Sequence, residues 1–190
     1  MTVQEVLQLN LIEKQFQESK QFFKTHQTKD IKFRKQQLKL LSKSIKDHET
    51  ELLESLKIDL GKGSVEAYAT EIGILLKSIK TARKELKNWA KTKQVDTPLF
   101  MFPSKSYIKP EPYGTILIIG PFNYPVQLLF EPLIGAIAAG NNAIIKPSEL
   151  TPHVAQVVRK VIEDVFASDF VAVVEGGVEE TQTLINLPFD

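Results

Sequence analysis

The rhythm of apolar positions along this chain changes near residue 112. Before it, apolar residues recur at helical spacing; after it, they come in short unbroken runs separated by helical stretches. In residues 3–25, Val6, Leu9, Ile12, Phe16 and Phe23 stand among polar neighbours and predict a helix, which Thr25 to Lys29 interrupts. Asp30 is placed to cap a second helix with the stripe Ile31, Arg34, Leu38, Leu41, Ile45, Leu52 and Leu56. An arginine on such a stripe has to reach a carboxylate or extend to water. Asp59-Leu60-Gly61-Lys62-Gly63 ends that helix. Ser64 is the expected cap of a third, over about residues 65–92, with Tyr68, Ile72, Leu75, Leu76, Ile79, Ala82, Leu86 and Trp89 as its apolar face. Gly73, inside it, costs about 1 kcal/mol against Ala and either permits close packing of another element or is a tolerated weak point. Pro98 and Pro103 make 91–103 a connector, and Ser104 to Lys109 predicts a short polar strand closed by Pro110 and Pro112.

Gly114 to Gly120 is continuously apolar, as a central parallel strand covered on both faces would be. Pro121-Phe122-Asn123-Tyr124-Pro125 forms a stiff turn into a helix that runs to about Ala139 and is apolar almost all round. Gly135 and the alanines are expected to let the sheet approach this helix, and Gly140 to end it in a left-handed conformation. Asn142 to Ile145 reads as a second strand with the exit loop Lys146-Pro147-Ser148-Glu149. Thr151-Pro152 is a cap and first-turn proline, and Val154, Val157, Val158, Val161, Ile162 and Val165 mark the buried face of the helix that follows. Phe170 to Val174 is a third strand, Glu175-Gly176-Gly177 its exit loop, and Val178 to Leu187 a further helix. The fold class is therefore α/β: an N-terminal helical segment with a connector and arm strand over 1–112, then the first βαβαβα half of a Rossmann-like parallel sheet over 113–190. Right-handed crossovers bring the exit loops 120–125, 146–149 and 175–177 to one edge, where such sheets bind ligands. An open edge beside the third strand and so apolar a helix predict poor solubility and association.

Composition narrows the chemistry. With 43% apolar and 25% charged residues the chain has an ordinary soluble make-up, and a net charge of +1 gives no bulk attraction to nucleic acid. Basic residues concentrate before residue 111 and acidic ones dominate after it. Either the two segments meet across a complementary face, or long solvent-facing helices simply carry many lysines. The absence of cysteine excludes disulfides, a thiolate nucleophile and cysteine-based zinc sites within these residues. His26, His48 and His153 are far apart, so no metal site is expected. The longest apolar region, Val126 to Ala139, contains Glu131 and Pro132 and is too short to span a bilayer, and no signal-peptide pattern is present; a cytoplasmic protein without a transmembrane segment is the expectation. No Gly-x-Gly-x-x-Gly follows the first strand, so the residues permit a nucleotide site without demonstrating one. Taken alone, Asn123 serves as a helix cap as readily as a catalytic donor, and Lys146 as a solvent-facing lysine.

Pro112-Tyr113-Gly114, Gly120-Pro121-Phe122-Asn123-Tyr124-Pro125 and the run GNNAIIKPSE at 140–149, at their spacing, resemble the aldehyde dehydrogenase superfamily. The helical start and EGGVEET at 175–181 resemble its class 3-like branch, which includes fatty aldehyde dehydrogenases. The resemblance covers essentially the whole chain. It implies the amino-terminal part of a truncated aldehyde dehydrogenase fold, and an enzyme that oxidises aldehydes to carboxylic acids with NAD or NADP. In that family a cysteine forms a thiohemiacetal, hydride passes to the nicotinamide, and a glutamate-activated water hydrolyses the thioester. It further implies Asn123 as the side-chain donor of an oxyanion hole, with Lys146 and Glu149 holding the adenosine ribose. Lys146 would also face a 2′-phosphate, which Glu149 would repel. Gly176 and Gly177 would leave room beside the adenine. Tyr68 lies where some relatives place a substrate-pocket aromatic and is taken here as core. The implied parent is a homodimer joined through an arm that includes Ser104 to Lys109, with an aldehyde as its small-molecule partner. Relatives continue past the position of Asp190 to the glutamate and cysteine, so the isolated chain is expected to be inactive. The alternative is a non-catalytic nucleotide-binding or assembly fragment.

Overall fold

The computed structural model describes residues 3–190, with side chains from Leu9 onward; the side chain of Val6 lies outside the described residues. Helix α1 runs Val3–Lys24, and His26 at φ 62° turns the chain into the short 3-10 turn Gln27–Lys29. Asp30 caps α2 (Ile31–Asp47) as expected, its carboxylate accepting the Lys32 N–H at 2.9 Å. The expected second helix is in fact two: His48 leaves the helical region at ψ 13°, and α3 (Glu49–Leu60) starts afresh before ending at left-handed Gly61. The apolar stripe is continuous across the break, which is why periodicity did not reveal it; Leu38, Leu41, Ile45, Leu52 and Leu56 are all fully buried.

Arg34 also sits on that stripe, and it is held by backbone carbonyls rather than by a carboxylate. Its guanidinium donates to the backbone carbonyls of Thr28 (2.5 Å), Lys29 (3.3 Å) and Ala138 (3.3 Å). Burial pushes it below its ordinary pKa, opposed by Glu111 and Asp30. The third helix is α4 (Ser64–Ala67), a π-helical turn over Tyr68–Ile72, and α5 (Gly73–Trp89) in unbroken succession. Gly63 rather than Ser64 is its N-cap. Tyr68 is 41% exposed and Trp89 53% exposed, so the expectation that both belong to the buried face is corrected. The wider π turn rotates the helix between Ala67 and Ile72 and carries Tyr68 off the buried stripe. A Cβ on Gly73 would come within 3.2 Å of the Tyr68 carbonyl and 3.3 Å of its ring, so this glycine makes room for Tyr68 of its own helix rather than for another element.

The connector holds a strand not expected from sequence, β1 (Lys93–Val95), antiparallel to β2 (Ser106–Ile108). Next come β3 (Thr115–Ile119), α6 (Gln127–Ala139), β4 (Asn142–Lys146), α7 (Pro152–Glu163), β5 (Val171–Val173) and α8 (Val178–Asn186). The sheet is parallel with order β3-β4-β5. The central, wholly buried strand is therefore β4; β3, expected there, is at the edge of these three, and its Ile119 is 43% exposed. Helices α1 and α8 cover one face, around Phe16, Ile144, Val174 and Leu184. Helices α6 and α7 cover the other, with α2, α3 and α5 packed outside them. One core cluster unites Leu38, Leu75 and Leu86 of the early helices with Leu133, Ile145 and Val158.

Gly140 ends α6 at φ 91° as expected, and a Cβ there would collide with the Arg34 guanidinium. Gly135 does not meet the sheet: a Cβ on it would touch nothing within 4 Å, because it lies on the outer face of α6. Thr151 precedes α7, but its side chain caps nothing; Asp59 at the end of α3 accepts the Val154 N–H at 2.8 Å instead. Ion pairs across residue 112 run in both directions, Lys20–Asp190 against Glu51–Lys160, so the segments meet through local pairs rather than broad opposite faces. Among the described residues, no helix is long and apolar enough to cross a membrane, and no cluster of three or more His, Asp or Glu could hold a metal ion.

Candidate functional site

The strand register puts the three exit loops at one edge. Ile119 pairs with Lys146 and Ile145 with Val173. Gly120 N–H donates to the Lys146 carbonyl (2.9 Å), and Val174 N–H to that of Ile145 (2.9 Å). The three loops therefore start level with one another.

Lys146 is the last residue of the central strand. Its side chain is only 2% exposed, yet its ammonium reaches the carboxylate of the half-exposed Glu149 three residues on. The loop braces itself: Leu150 N–H donates to Ser148 Oγ (3.2 Å) and Thr151 N–H to the Ser148 carbonyl (3.3 Å). The Lys146 hydrogen bond holds the Glu149 carboxyl below the usual carboxylate range. Beside the pair lies a pocket of about 200 Å³, bordered by Ser148, Glu149, Gln156, Glu175 and Gly176. An ammonium next to a carboxylate offers both a donor and an acceptor, which is what neighbouring sugar hydroxyls require.

The two glycines differ. Gly176 has φ 150°, and a Cβ on it would overlap the Glu180 carboxylate, which accepts the Gly177 N–H at 2.7 Å. Its missing side chain makes room for that contact. At Gly177 a Cβ would meet nothing within 4 Å.

Asn123 stands on the first exit loop, with its side chain exposed and no hydrogen bond to it among the described residues. It does not cap α6. That part is taken by Glu71, wholly buried in the π turn, which accepts the N–H groups of Val126 (2.8 Å) and Gln127 (3.3 Å). Glu71 also pairs with Lys62, whose ammonium donates to the Asn123 carbonyl (2.9 Å) and lies 3.9 Å from the centre of the Tyr124 ring. The structure thus brings Glu149 and Gly176 to the lining of one pocket, with Lys146 behind Glu149 as its ion-pair partner and Gly177 one residue beyond the rim, and sets Asn123 on a separate loop of the same edge. Sequence reasoning missed Lys62 and Glu71. One signal was available: residue 71 lies three after Tyr68 and four before Leu75, so an acid there sits against the apolar face.

The chain matches the aldehyde dehydrogenase family over residues 4–188. It belongs to that family. It is 70% identical over 182 residues to the 4,4'-diaponeurosporen-aldehyde dehydrogenase of Staphylococcus aureus, covering 96% of this chain and 40% of that protein. It is 38% identical over 179 residues to aldehyde dehydrogenase family 3 member A2 of Macaca fascicularis, covering 94% of this chain and 37% of that protein. A solved structure of Staphylococcus aureus AldH in a substrate-bound state superposes with a TM-score of 0.93 at 71% identity, covering 94% of this chain and 39% of that one. The chain thus spans about two fifths of the length of these aldehyde dehydrogenases, and its helical start and small parallel sheet are that fold's amino-terminal portion.

Proposed function

We propose that this chain supplies two parts of an NAD(P)-dependent aldehyde dehydrogenase that converts aldehydes to carboxylic acids: an oxyanion donor, Asn123, and a ribose-binding pair, Lys146 and Glu149. The observation that carries this reading is the pair. A solvent-facing lysine has no reason to be 2% exposed; Lys146 is delivered by the central strand and meets Glu149 at the rim of a pocket. When bound, the dinucleotide supplies the hydride acceptor. Lys146 donates to, and Glu149 accepts from, the ribose hydroxyls, and the Glu149 charge disfavours an added phosphate there. Gly177 leaves open space on the adenine side. The Asn123 amide, without a hydrogen-bond partner among the described residues, points a neutral N–H donor at the oxygen that gains charge when the aldehyde is attacked, an interaction worth about 3 kcal/mol. The chain contains no cysteine, so the nucleophile is not among its 190 residues, and the chain alone does not turn over aldehyde. A homodimer built through the β1–β2 arm, in the cytoplasm, completes the proposal.

The test is a chimera in which residues 1–190 replace the matching portion of the Staphylococcus aureus relative. Aldehyde-dependent NADH or NADPH formation is expected. A folded chimera that binds dinucleotide but forms no reduced cofactor contradicts the reading.

A further inference from the structure

We infer that Lys62 and Glu71 are positioning residues for Asn123, aiming its amide by gripping the backbone of the turn while leaving the side chain free. This rests on the reading of Asn123 as the oxyanion donor. An amide that keeps an N–H free to donate to a developing charge can be positioned through its backbone, and here the backbone is held. The Asn123 carbonyl accepts from Lys62 at 2.9 Å; the next residue, Tyr124, lays its ring 3.9 Å from the same ammonium; and Val126 and Gln127, which follow, donate to Glu71. The two side chains are themselves paired, at 11% and 0% exposure.

Helix capping does not account for the arrangement. Glu71 alone would satisfy the first N–H groups of α6. Lys62 supports that cap by pairing with the buried Glu71, but its further contacts go beyond capping, to the Asn123 carbonyl and the ring of Tyr124. The π turn fits the same purpose: it sits where Glu71 is brought under the turn, and π turns recur at functional sites.

The experiment is 15N relaxation and amide exchange on the labelled chain. In the double variant Lys62→Met/Glu71→Gln, a glutamine carbonyl still accepts from Val126 and Gln127, and no buried charge is left unpaired. The order parameters at Asn123 and Tyr124 are expected to fall from about 0.85 toward about 0.6, with Val126 and Gln127 still protected. Lys62→Arg, which keeps a donor, is expected to restore the order at Asn123. Unchanged order at Asn123 in the double variant overturns the inference, and so does equal loss at Asn123, Val126 and Gln127, which would mark a plain structural cap. NAD+ titration of the unmutated chain reports separately on the functional reading: failure to bind weakens that reading and leaves the tether to be judged by relaxation alone.

Discussion

The loop at Lys146 and the turn at Asn123 leave the same sheet edge one strand apart, yet they are held in opposite ways. The Lys146 loop is self-contained: its ion pair spans three residues, and Ser148 ties its own neighbours. The Asn123 turn has no such internal bonds to its side chain and depends on residues 61 and 55 positions away, Lys62 and Glu71 with Asn123 and Val126. A group that grips a bound molecule gains from a compact local frame. A group that must stay free to donate needs its support from elsewhere in the chain.

The largest expected effect breaks the distant support. Glu71→Ala leaves Lys62 unpaired in a poorly exposed site and removes the cap of α6, and should cost about 3–5 kcal/mol by urea denaturation. A loss below about 1 kcal/mol would show that the turn holds itself. Gly176→Ala comes next, at about 1–3 kcal/mol, because the substituent needs a backbone conformation reserved for glycine and displaces Glu180. Gly177→Ala, one residue on, should stay within about 0.5 kcal/mol in the same assay, since its Cβ enters open space. The smallest effect is at Glu149. Lys146 holds this carboxyl below its ordinary 4.5, so the folded form stays ionised to lower pH than the unfolded form. The pair's stabilisation is complete above that ordinary value and disappears as pH falls through the lowered one. A carbon-detected titration of the Glu149 carboxyl should show a midpoint below 4.5 that returns to the ordinary range in Lys146→Met.

The same contrast explains what could be read from the sequence. The βαβαβα order after residue 112, the cap at Asp30, the helix end at Gly61, the left-handed end at Gly140 and the level exit loops all follow from local patterns, and they appeared where expected. Lys146 and Glu149 were singled out only through the family resemblance; their pairing across three residues was not read from the sequence, which taken alone left Lys146 facing solvent. What was missed depended on distant contacts. His48 breaks a helix whose apolar stripe continues unbroken. Arg34 finds carbonyls from the far end of α6, and Asp59 caps α7 in place of Thr151. The π turn that carries Tyr68 outward left the helical spacing of Ile72, Leu75 and Ile79 intact, so spacing alone could not expose it.

On the proposed reading Asn123, unbonded at its side chain among the described residues and held at its backbone carbonyl, stabilises the charge formed on an aldehyde oxygen. The most direct measurement is the turnover of Asn123→Ala in the chimera carrying residues 1–190. A fall in kcat of about 100- to 1,000-fold, with KM for the aldehyde little changed, is the expected result. A variant that folds, binds dinucleotide and retains the kcat of the unmutated chimera would contradict the account.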